Sequence, residues 1–198
     1  IKDGLRLCEH AEVQRIEPLK EGVRVIFSKD GAVEVIEGTH LLVMTGRKPN
    51  IEGLCLEKAG IRHSKNGIEV DARLRTSNKK VFAIGDVVGG FQFTHVAGYH
   101  AEIVIKNVVF RMRSKVDYRA VPRVVYTAPE LAQVGKNETM VRKSGVAYRV
   151  LRWSFGENDR AKTEKMADGL IKAIVTPRGQ ILGCGIVGMH AGEIIQPW

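Results

Sequence analysis

The stretch VFAIGDVVGGFQFTHVA, residues 81–97, decides the fold because it leads from an apolar run through a glycine-rich turn into a helix. Residues 81–84 form a continuous apolar run, which is typical of a strand covered on both faces in a parallel sheet. The run ends at Gly85 and Asp86. Ligands of open α/β sheets bind at this edge, where Gly85 would let a ligand approach the backbone. Asp86 could therefore accept hydrogen bonds from sugar-like hydroxyls.

A helix is predicted a few residues further on, with Thr94 as its N-cap and its end near residue 110. The first turn of such a helix has unpaired backbone N–H groups and the positive end of the helix dipole, and both stabilise an anion. These residues alone leave two readings open. The segment could bind a cofactor, or it could be a plain turn followed by a capped helix.

The residues before this stretch contain two kinds of apolar pattern. Three short apolar stretches alternate with turn signals and predict a small antiparallel meander over residues 12–16, 23–27 and 32–36. Residues 41–44, in contrast, form a continuous apolar run, which predicts a strand covered on both faces in a parallel sheet. A short helical turn is expected at residues 54–59 and a strand at residues 67–71.

The residues after 120 change to a pattern in which strands are clustered and helices lie at the ends. Such a pattern predicts an α+β domain built on an antiparallel sheet. The predicted strands cover residues 123–126, 148–153, 170–175 and 181–187, and the predicted helices cover residues 138–144 and the segment after His190.

The composition is that of an ordinary globular protein, since 44% of the 198 residues are hydrophobic and 27% are charged. The formal net charge is +9. The basic residues are nevertheless spread along the chain and are not interleaved with aromatic residues, so nucleic-acid binding is not favoured. No apolar run reaches the roughly 18 residues that a bilayer span needs. We therefore expect a soluble cytoplasmic protein with no membrane partner.

Three cysteines are present, and their spacing favours neither zinc nor a redox pair. Cys8, Cys55 and Cys184 lie far apart and form no CxxC or CxxxxC motif. Each has apolar neighbours, so we expect three buried, reduced thiols and no metal site. The chain starts at Ile1 and stops at Trp198 within a predicted helix, so we expect a segment of a longer protein.

Five blocks of sequence follow one another along most of the chain. They are TGRKPN at 45–50; TS at 76–77 with VFAIGD at 81–86; FTHVA at 93–97; VP at 121–122 with YTAPELAQVG at 126–135; and GLIK at 169–172 with ILG at 181–183 and AGEII at 191–195. Their order resembles that of class I pyridine nucleotide-disulfide oxidoreductases. Dihydrolipoamide dehydrogenase, mercuric reductase and glutathione reductase belong to that family.

The resemblance implies a mixed α/β and α+β fold in three parts. Residues 1–47 would end the NAD(P)-binding domain, and residues 48–118 would be the C-terminal part of the FAD-binding domain. Residues 119–198 would be an α+β dimerisation domain, truncated at its C-terminus, through which two copies form a homodimer.

The resemblance also implies roles in binding FAD and NAD(P). Asp86 matches the aspartate that binds the ribityl chain of FAD. The segment that lies against the flavin, with the helix start facing its N1 and C2 carbonyl edge, matches Gln92, Phe93, Thr94 and His95. Fixed dipoles at that edge stabilise the negative charge of reduced flavin, and His95 is expected to contribute its backbone N–H more than its imidazole. Gly46 matches a glycine beside the nicotinamide nucleotide.

The function implied by the resemblance is electron transfer between NAD(P)H and a small-molecule disulfide or dithiol through FAD and a redox cysteine pair. That pair is absent here, no GxGxxG follows a strand, and the family's C-terminal His-Pro followed by Glu is missing. We therefore expect no catalytic residue in this chain and no activity from the chain alone. Residues 93–97 and 155–161 resemble mercuric-reductase-like members, so a metal ion as substrate stays open. A non-catalytic dimerisation or scaffold module is the other alternative.

Overall fold

The computed structural model describes residues 4–198, and the chain divides into two compact units, residues 1–47 and 48–198. The first unit is a three-stranded antiparallel meander with the order β1-β2-β3. Phe27 on the central strand is 3% exposed. The predicted meander is therefore confirmed. Its strands are β1, Glu12–Pro18, β2, Val23–Lys29, and β3, Ala32–Gly38.

The strand predicted at residues 41–44 is wrong. These residues are in no strand, and Leu42 and Met44 are 82% and 80% exposed. A continuous apolar run becomes a buried strand when neighbouring strands pair with it on both sides. Within the first unit, the described residues form the meander and offer this run no further strand.

Residues 48–120 of the second unit consist mostly of turns, with one two-stranded ladder and one long helix. The ladder joins β4, His63–Ser64, to β5, Gly67–Ile68, so the strand predicted at 67–71 is much shorter than expected. At the helical turn expected at 54–59, residues 55–60 form consecutive turns with i→i−3 backbone hydrogen bonds, but no regular helix. Helix α1 spans Thr94–Val108. A small core is formed by Leu56, Ile61, Ile68 and Ala83.

The apolar run at residues 81–84 is extended but is not a regular strand. Phe82 forms an isolated antiparallel bridge with Arg75, and Ile84 is 39% exposed. The prediction of a strand covered on both faces is wrong here as well. The reason is again strand pairing. Among the described residues, the run makes this one isolated bridge and no longer ladder with a neighbouring strand.

The second half of this unit is a five-stranded antiparallel sheet with the order β6-β7-β10-β9-β8. This confirms the predicted α+β domain. Two elements, β7 and the short helix α3, were not predicted from the sequence. In β7 the apolar residues at 131, 132 and 134 obscure the alternation of a strand. The strands are β6, Arg123–Val125, β7, Glu130–Gly135, β8, Arg149–Ser154, β9, Leu170–Val175, and β10, Ile181–Gly188; the helices are α2, Glu138–Lys143, α3, Asp159–Thr163, and α4, Ala191–Ile194.

The core of this sheet lies along the central strand β10, where Ile186 is fully buried and packs with Ala132 and with Ile195 after α4. A GxGxxG spacing occurs at Gly183, Gly185 and Gly188, but it lies inside β10 and follows no strand. The motif serves packing here. A Cβ at Gly183 would lie 2.1 Å from the carbonyl oxygen of Lys136, and one at Gly188 would lie 2.7 Å from the ring of Phe155.

The expectation of three buried thiols holds for one of them. Cys184 on β10 is 2% exposed, and burial raises its pKa to about 11. Cys55 is exposed and Cys8 is partly exposed, so the prediction is wrong for these two. Both lie in turns or irregular segments, where apolar neighbours in sequence do not pack around the thiol.

Candidate functional site

The turn that carries Asp86 is a short 3-10 helix, Gly85–Val88. Gly85 has a φ of +70°, in the left-handed region that favours glycine. A Cβ at this position would lie 3.0 Å from the Cβ of Ala97 on α1. The close neighbour of Gly85 in the structure is therefore helix α1, whereas the sequence had suggested a ligand.

The side chain of Asp86 is exposed. The N–H of Gly89 closes the turn by donating to the carbonyl oxygen of Asp86, at 3.0 Å. This bond uses the backbone carbonyl of Asp86. Because the residue is exposed, hydroxyl groups of a molecule outside the chain can approach it.

Helix α1 begins eight residues after Asp86, and its start differs from the prediction. Thr94 is the first helical residue, and the N-cap is Phe93, whose backbone is extended and whose side chain makes no capping hydrogen bond. The prediction of Thr94 as N-cap is wrong because Phe93 has the extended conformation of a cap residue.

The first N–H groups of α1, as in any α-helix, have no acceptor within the helix itself. The N–H groups of Val96 and Ala97 both donate to the carbonyl oxygen of Phe93, at 3.1 and 3.2 Å. The N–H groups of Thr94 and His95 precede these bonds, at positions where the donors of a helix have no partner one turn earlier. The side chain of the N-cap residue Phe93 makes no capping hydrogen bond, and the first N–H groups together with the helix dipole favour partial negative charge at this end.

The side chains at the start of α1 pack on one another and on the sheet domain. The rings of Phe93 and His95 are stacked, with centroids 5.3 Å apart. Nε2 of His95 lies 2.9 Å from the carbonyl oxygen of Pro122. A carbonyl only accepts, so Nε2 carries the hydrogen and donates it. The imidazole thus ties α1 to the chain just before β6, while Gln92 beside it is partly buried.

His100 is the residue near this site that the sequence analysis missed. It is 1% exposed, and its Nδ1 accepts a hydrogen bond of 3.1 Å from the N–H of Gly85. The available signal was its place on the buried face of α1, four residues after Val96 and three before Ile103. A histidine at an apolar position of a helix has to find hydrogen-bond partners inside the protein.

Gly46, the sixth predicted site residue, lies in the first unit. Its φ is +115°, and a Cβ built on it would have no atom within 4 Å. The backbone at this position is therefore open on the side that a Cβ would occupy. The other five predicted residues lie in the second unit, on the turn and the helix start just described.

A cavity of about 670 Å³ lies elsewhere in the second unit, where residues 117–123 meet the ends of β7 and β10. None of the predicted site residues lines it. Its one acid, Asp117, is held by Arg119, whose guanidinium hydrogen bonds lower the pKa of that carboxyl to about 2. Because it contains neither Asp86 nor the start of α1, we do not assign it to the same site.

Comparison with known proteins finds two matching family profiles along the chain. The profile of the pyridine nucleotide-disulphide oxidoreductase family matches residues 1–101, and the profile of that family's dimerisation domain matches residues 121–198. The chain belongs to this family. The match to the dimerisation domain also supports homodimer formation.

Individual relatives agree with the family. Dihydrolipoyl dehydrogenase of Geobacillus stearothermophilus is 35% identical over 196 residues, which are 98% of this chain and 42% of that protein. Mercuric reductase of Lysinibacillus sphaericus is 35% identical over 197 residues, 98% of this chain and 36% of that protein. The crystal structure of LpdA from Mycobacterium tuberculosis matches 99% of this chain and 42% of its own, with a TM-score of 0.89 and 31% identity. The chain thus spans well under half the length of these relatives.

Members of this oxidoreductase family use FAD and NAD(P)H. The residues on the turn and the helix start fit a flavin by the chemistry of their groups. The carboxylate of the exposed residue Asp86 can accept hydrogen bonds from the hydroxyls of a ribityl chain, and the first N–H groups of α1, at Thr94 and His95, can donate to a carbonyl edge. Among residues 4–198, no helix is long and apolar enough to cross a membrane.

Proposed function

We propose that this chain supplies flavin-binding residues and the dimerisation domain of an enzyme that transfers electrons between NAD(P)H and a small-molecule disulfide or dithiol. One observation carries the proposal. An exposed carboxylate on the Gly85–Val88 turn is followed closely by the uncapped start of α1, so acceptor and donor groups occur together on one short segment. The domain boundaries that we propose are residues 1–47, 48–118 and 119–198.

The roles that we propose for the residues are binding and orientation. Asp86 would hold the ribityl hydroxyls, and Gln92, Phe93, Thr94 and His95 would form the segment against the isoalloxazine. Gly46 would leave room for the nicotinamide nucleotide. When bound, the flavin and the nicotinamide supply the hydride and electron transfer. The chain itself has no vicinal cysteine pair, so we assign it no catalytic residue and expect it to be inactive alone.

The test of this proposal is Asp86→Ala in the full-length protein that contains this chain. We expect FAD binding to weaken by about 1–3 kcal/mol, which is the range for losing hydrogen bonds to a charged group. The dissociation constant is measured from the fluorescence of FAD released on dilution. The matched control is Glu102→Ala, which removes an acid of α1 that is already paired with Lys106. Equal FAD affinity in the Asp86→Ala and wild-type proteins would refute the role of Asp86.

A metal ion is the second candidate substrate, and it is favoured by one observation. The mercuric reductase relative is as similar to this chain as the dihydrolipoyl dehydrogenase relative, at 35% identity. NAD(P)H consumption by the full-length protein with lipoamide, glutathione disulfide or Hg²⁺ as acceptor would distinguish these substrates. If only Hg²⁺ supported fast turnover, the proposed substrate would be a metal ion and not a disulfide.

A scaffold role without catalysis is the third candidate, and it concerns the chain by itself. All five strands of the antiparallel sheet, and the hydrogen bonds that join them, lie within residues 123–188. This part could therefore fold and dimerise without a cofactor. Size-exclusion chromatography and a visible spectrum of the purified chain decide the matter. A colourless dimer that takes up no FAD favours the scaffold role for the chain alone, whereas a yellow species favours retained flavin binding.

A further inference from the structure

The buried side chain of His100 connects the turn before Asp86 to the segment that leads into the dimerisation domain. Its Nδ1 lies 3.1 Å from the amide nitrogen of Gly85, and its Nε2 lies 2.8 Å from the hydroxyl oxygen of Tyr118. An amide N–H only donates, so Nδ1 is the nitrogen without hydrogen. Nε2 therefore carries the hydrogen and donates it to Tyr118.

The surroundings of His100 favour this single arrangement. Burial lowers the pKa of His100, so the neutral imidazole that the two hydrogen bonds require is the stable form. The Tyr118 ring is itself held by an edge contact with Phe91, with ring centroids 5.5 Å apart. The imidazole thus has a fixed partner at each nitrogen and a fixed position on α1.

The bond to Gly85 matters because of where Gly85 lies. Gly85 is buried, and its left-handed backbone immediately precedes Asp86. A buried backbone N–H without an acceptor is costly, and His100 supplies the acceptor. If the imidazole were lost, the amide would turn to find another partner, and the peptide that carries Asp86 would turn with it.

We propose that His100 is a positioning residue for the cofactor, which holds the Gly85–Asp86 turn so that the Asp86 carboxylate is presented in one orientation. Tyr118 is the second anchor of this arrangement, since it fixes the imidazole from the opposite nitrogen. The inference rests on the proposed role of Asp86 in binding FAD. It adds that the affinity depends on a residue that is buried away from the surface where the carboxylate lies.

The experiment measures the rate of FAD dissociation from the full-length, FAD-loaded protein. His100→Leu removes both hydrogen bonds, and we expect dissociation to become about tenfold faster. His100→Gln offers an amide oxygen to Gly85 and an NH₂ group to Tyr118, so we expect it to restore a rate within about threefold of wild type. A residue that only fills space would not be rescued in this way.

Two controls separate positioning from general loss of stability. Ile103→Ala removes a side chain that is 4% exposed on the same face of α1; we expect its Tm to fall while FAD dissociates at about the wild-type rate. If His100→Leu does not fold, Tyr118→Phe takes its place, with an expected rate about threefold above wild type. Its control is Tyr99→Phe, which removes the hydroxyl that accepts from the N–H of Asp117 and makes no bond to His100.

Three results would each overturn the inference: unchanged FAD dissociation in the folded His100→Leu or Tyr118→Phe protein, no rescue by His100→Gln, or equally fast dissociation from Ile103→Ala. The Asp86→Ala protein keeps this failure distinct from that of the proposed function. If Asp86→Ala loses FAD and His100→Leu does not, the role of His100 alone is wrong. If Asp86→Ala keeps FAD as wild type does, the role of Asp86 is wrong.

Discussion

The five-stranded sheet and the turns of residues 48–93 are held together by different kinds of hydrogen bond. In the sheet, β10 pairs with β7 through an unbroken backbone ladder, and with β9 through a ladder that has one register shift between Ile181 and Gly183. In the turns, side chains supply many of the partners of the backbone. Ser77 donates from its hydroxyl to the carbonyl of Gly60 at 2.7 Å, and the side-chain amide of Asn78 donates to the carbonyl of Ala59 at 2.9 Å.

The difference shows which interactions stabilise each region. A ladder distributes the stabilisation over many similar bonds and a shared apolar core, so the core side chains decide whether the sheet survives. A turn region depends on particular polar side chains, each of which fixes one or two peptide groups. Substitutions in the two regions should therefore differ in size and in their response to pH.

The largest expected effect is that of Ile186→Ala on β10. Ile186 is fully buried at the centre of the sheet core, and truncating a buried isoleucine costs about 2–5 kcal/mol. The free energy of unfolding is measured by urea denaturation of the chain. The control is Val187→Ala, the next residue on the opposite face, which is 40% exposed and should cost less than about 1 kcal/mol. Equal losses would mean that the core does not lie on the face described here.

A smaller loss is expected from Gly183→Ala, in the same strand. The new Cβ would lie 2.1 Å from the carbonyl oxygen of Lys136, so the backbone has to shift, at a cost of about 1–3 kcal/mol. Gly185→Ala is the matched control, because its Cβ would come no closer than 4.0 Å to the nearest atom, the carbonyl oxygen of Ala132. Urea denaturation compares the two variants. Indistinguishable midpoints would show that the approach of β10 to Lys136 imposes no constraint.

The sequence predicted the sheet region well because its signal is periodic and local. Strand β9 has the predicted bounds, Leu170–Val175, and β10 extends one residue beyond the predicted 181–187. Antiparallel neighbours within about 80 residues of chain supply each other's hydrogen bonds. The runs at residues 41–44 and 81–84 were read by a different rule, which assumes that neighbouring strands cover a continuous apolar run on both faces. Residues 41–44 are in no strand and residues 81–84 make one isolated bridge, so the neighbours that the rule assumes are missing here.

The candidate site was only partly predictable, for a related reason. Asp86 and the start of α1 followed from a glycine after an apolar run and from an amphipathic helix, both of which are local patterns. The bond between His100 and Gly85 joins residues 15 positions apart with no period between them, so propensities and spacing carry no trace of it. The same holds for the bond from His95 to Pro122, which spans 27 positions.

The smallest expected effect lies in the turns, at Asp71. Its carboxylate accepts hydrogen bonds from the backbone N–H groups of Arg73 and Arg75 at 2.8 and 3.1 Å, and from the Arg75 guanidinium at 2.8 Å. Burial by itself raises the pKa of Asp71, but these bonds outweigh it, so the pKa is lowered from 3.8. A lowered pKa stabilises the folded chain above pH 3.8, and this stabilisation is lost as the pH falls through the folded value.

Asp71→Asn should therefore reduce the free energy of unfolding at pH 7 by about 1 kcal/mol or less, because the ion pair is partly exposed. The difference from wild type should shrink as the pH falls below 3.8, where the protonated carboxyl of Asp71 resembles the amide of asparagine. Urea denaturation at pH 7, 5, 4 and 3 measures it. Asp71→Ala is the control, since it also removes the acceptor of the two backbone N–H groups and should stay destabilised at every pH. A difference between Asp71→Asn and wild type that persists unchanged at pH 3 would show that the charge of Asp71 contributes nothing to this turn, and that its backbone hydrogen bonds hold it alone.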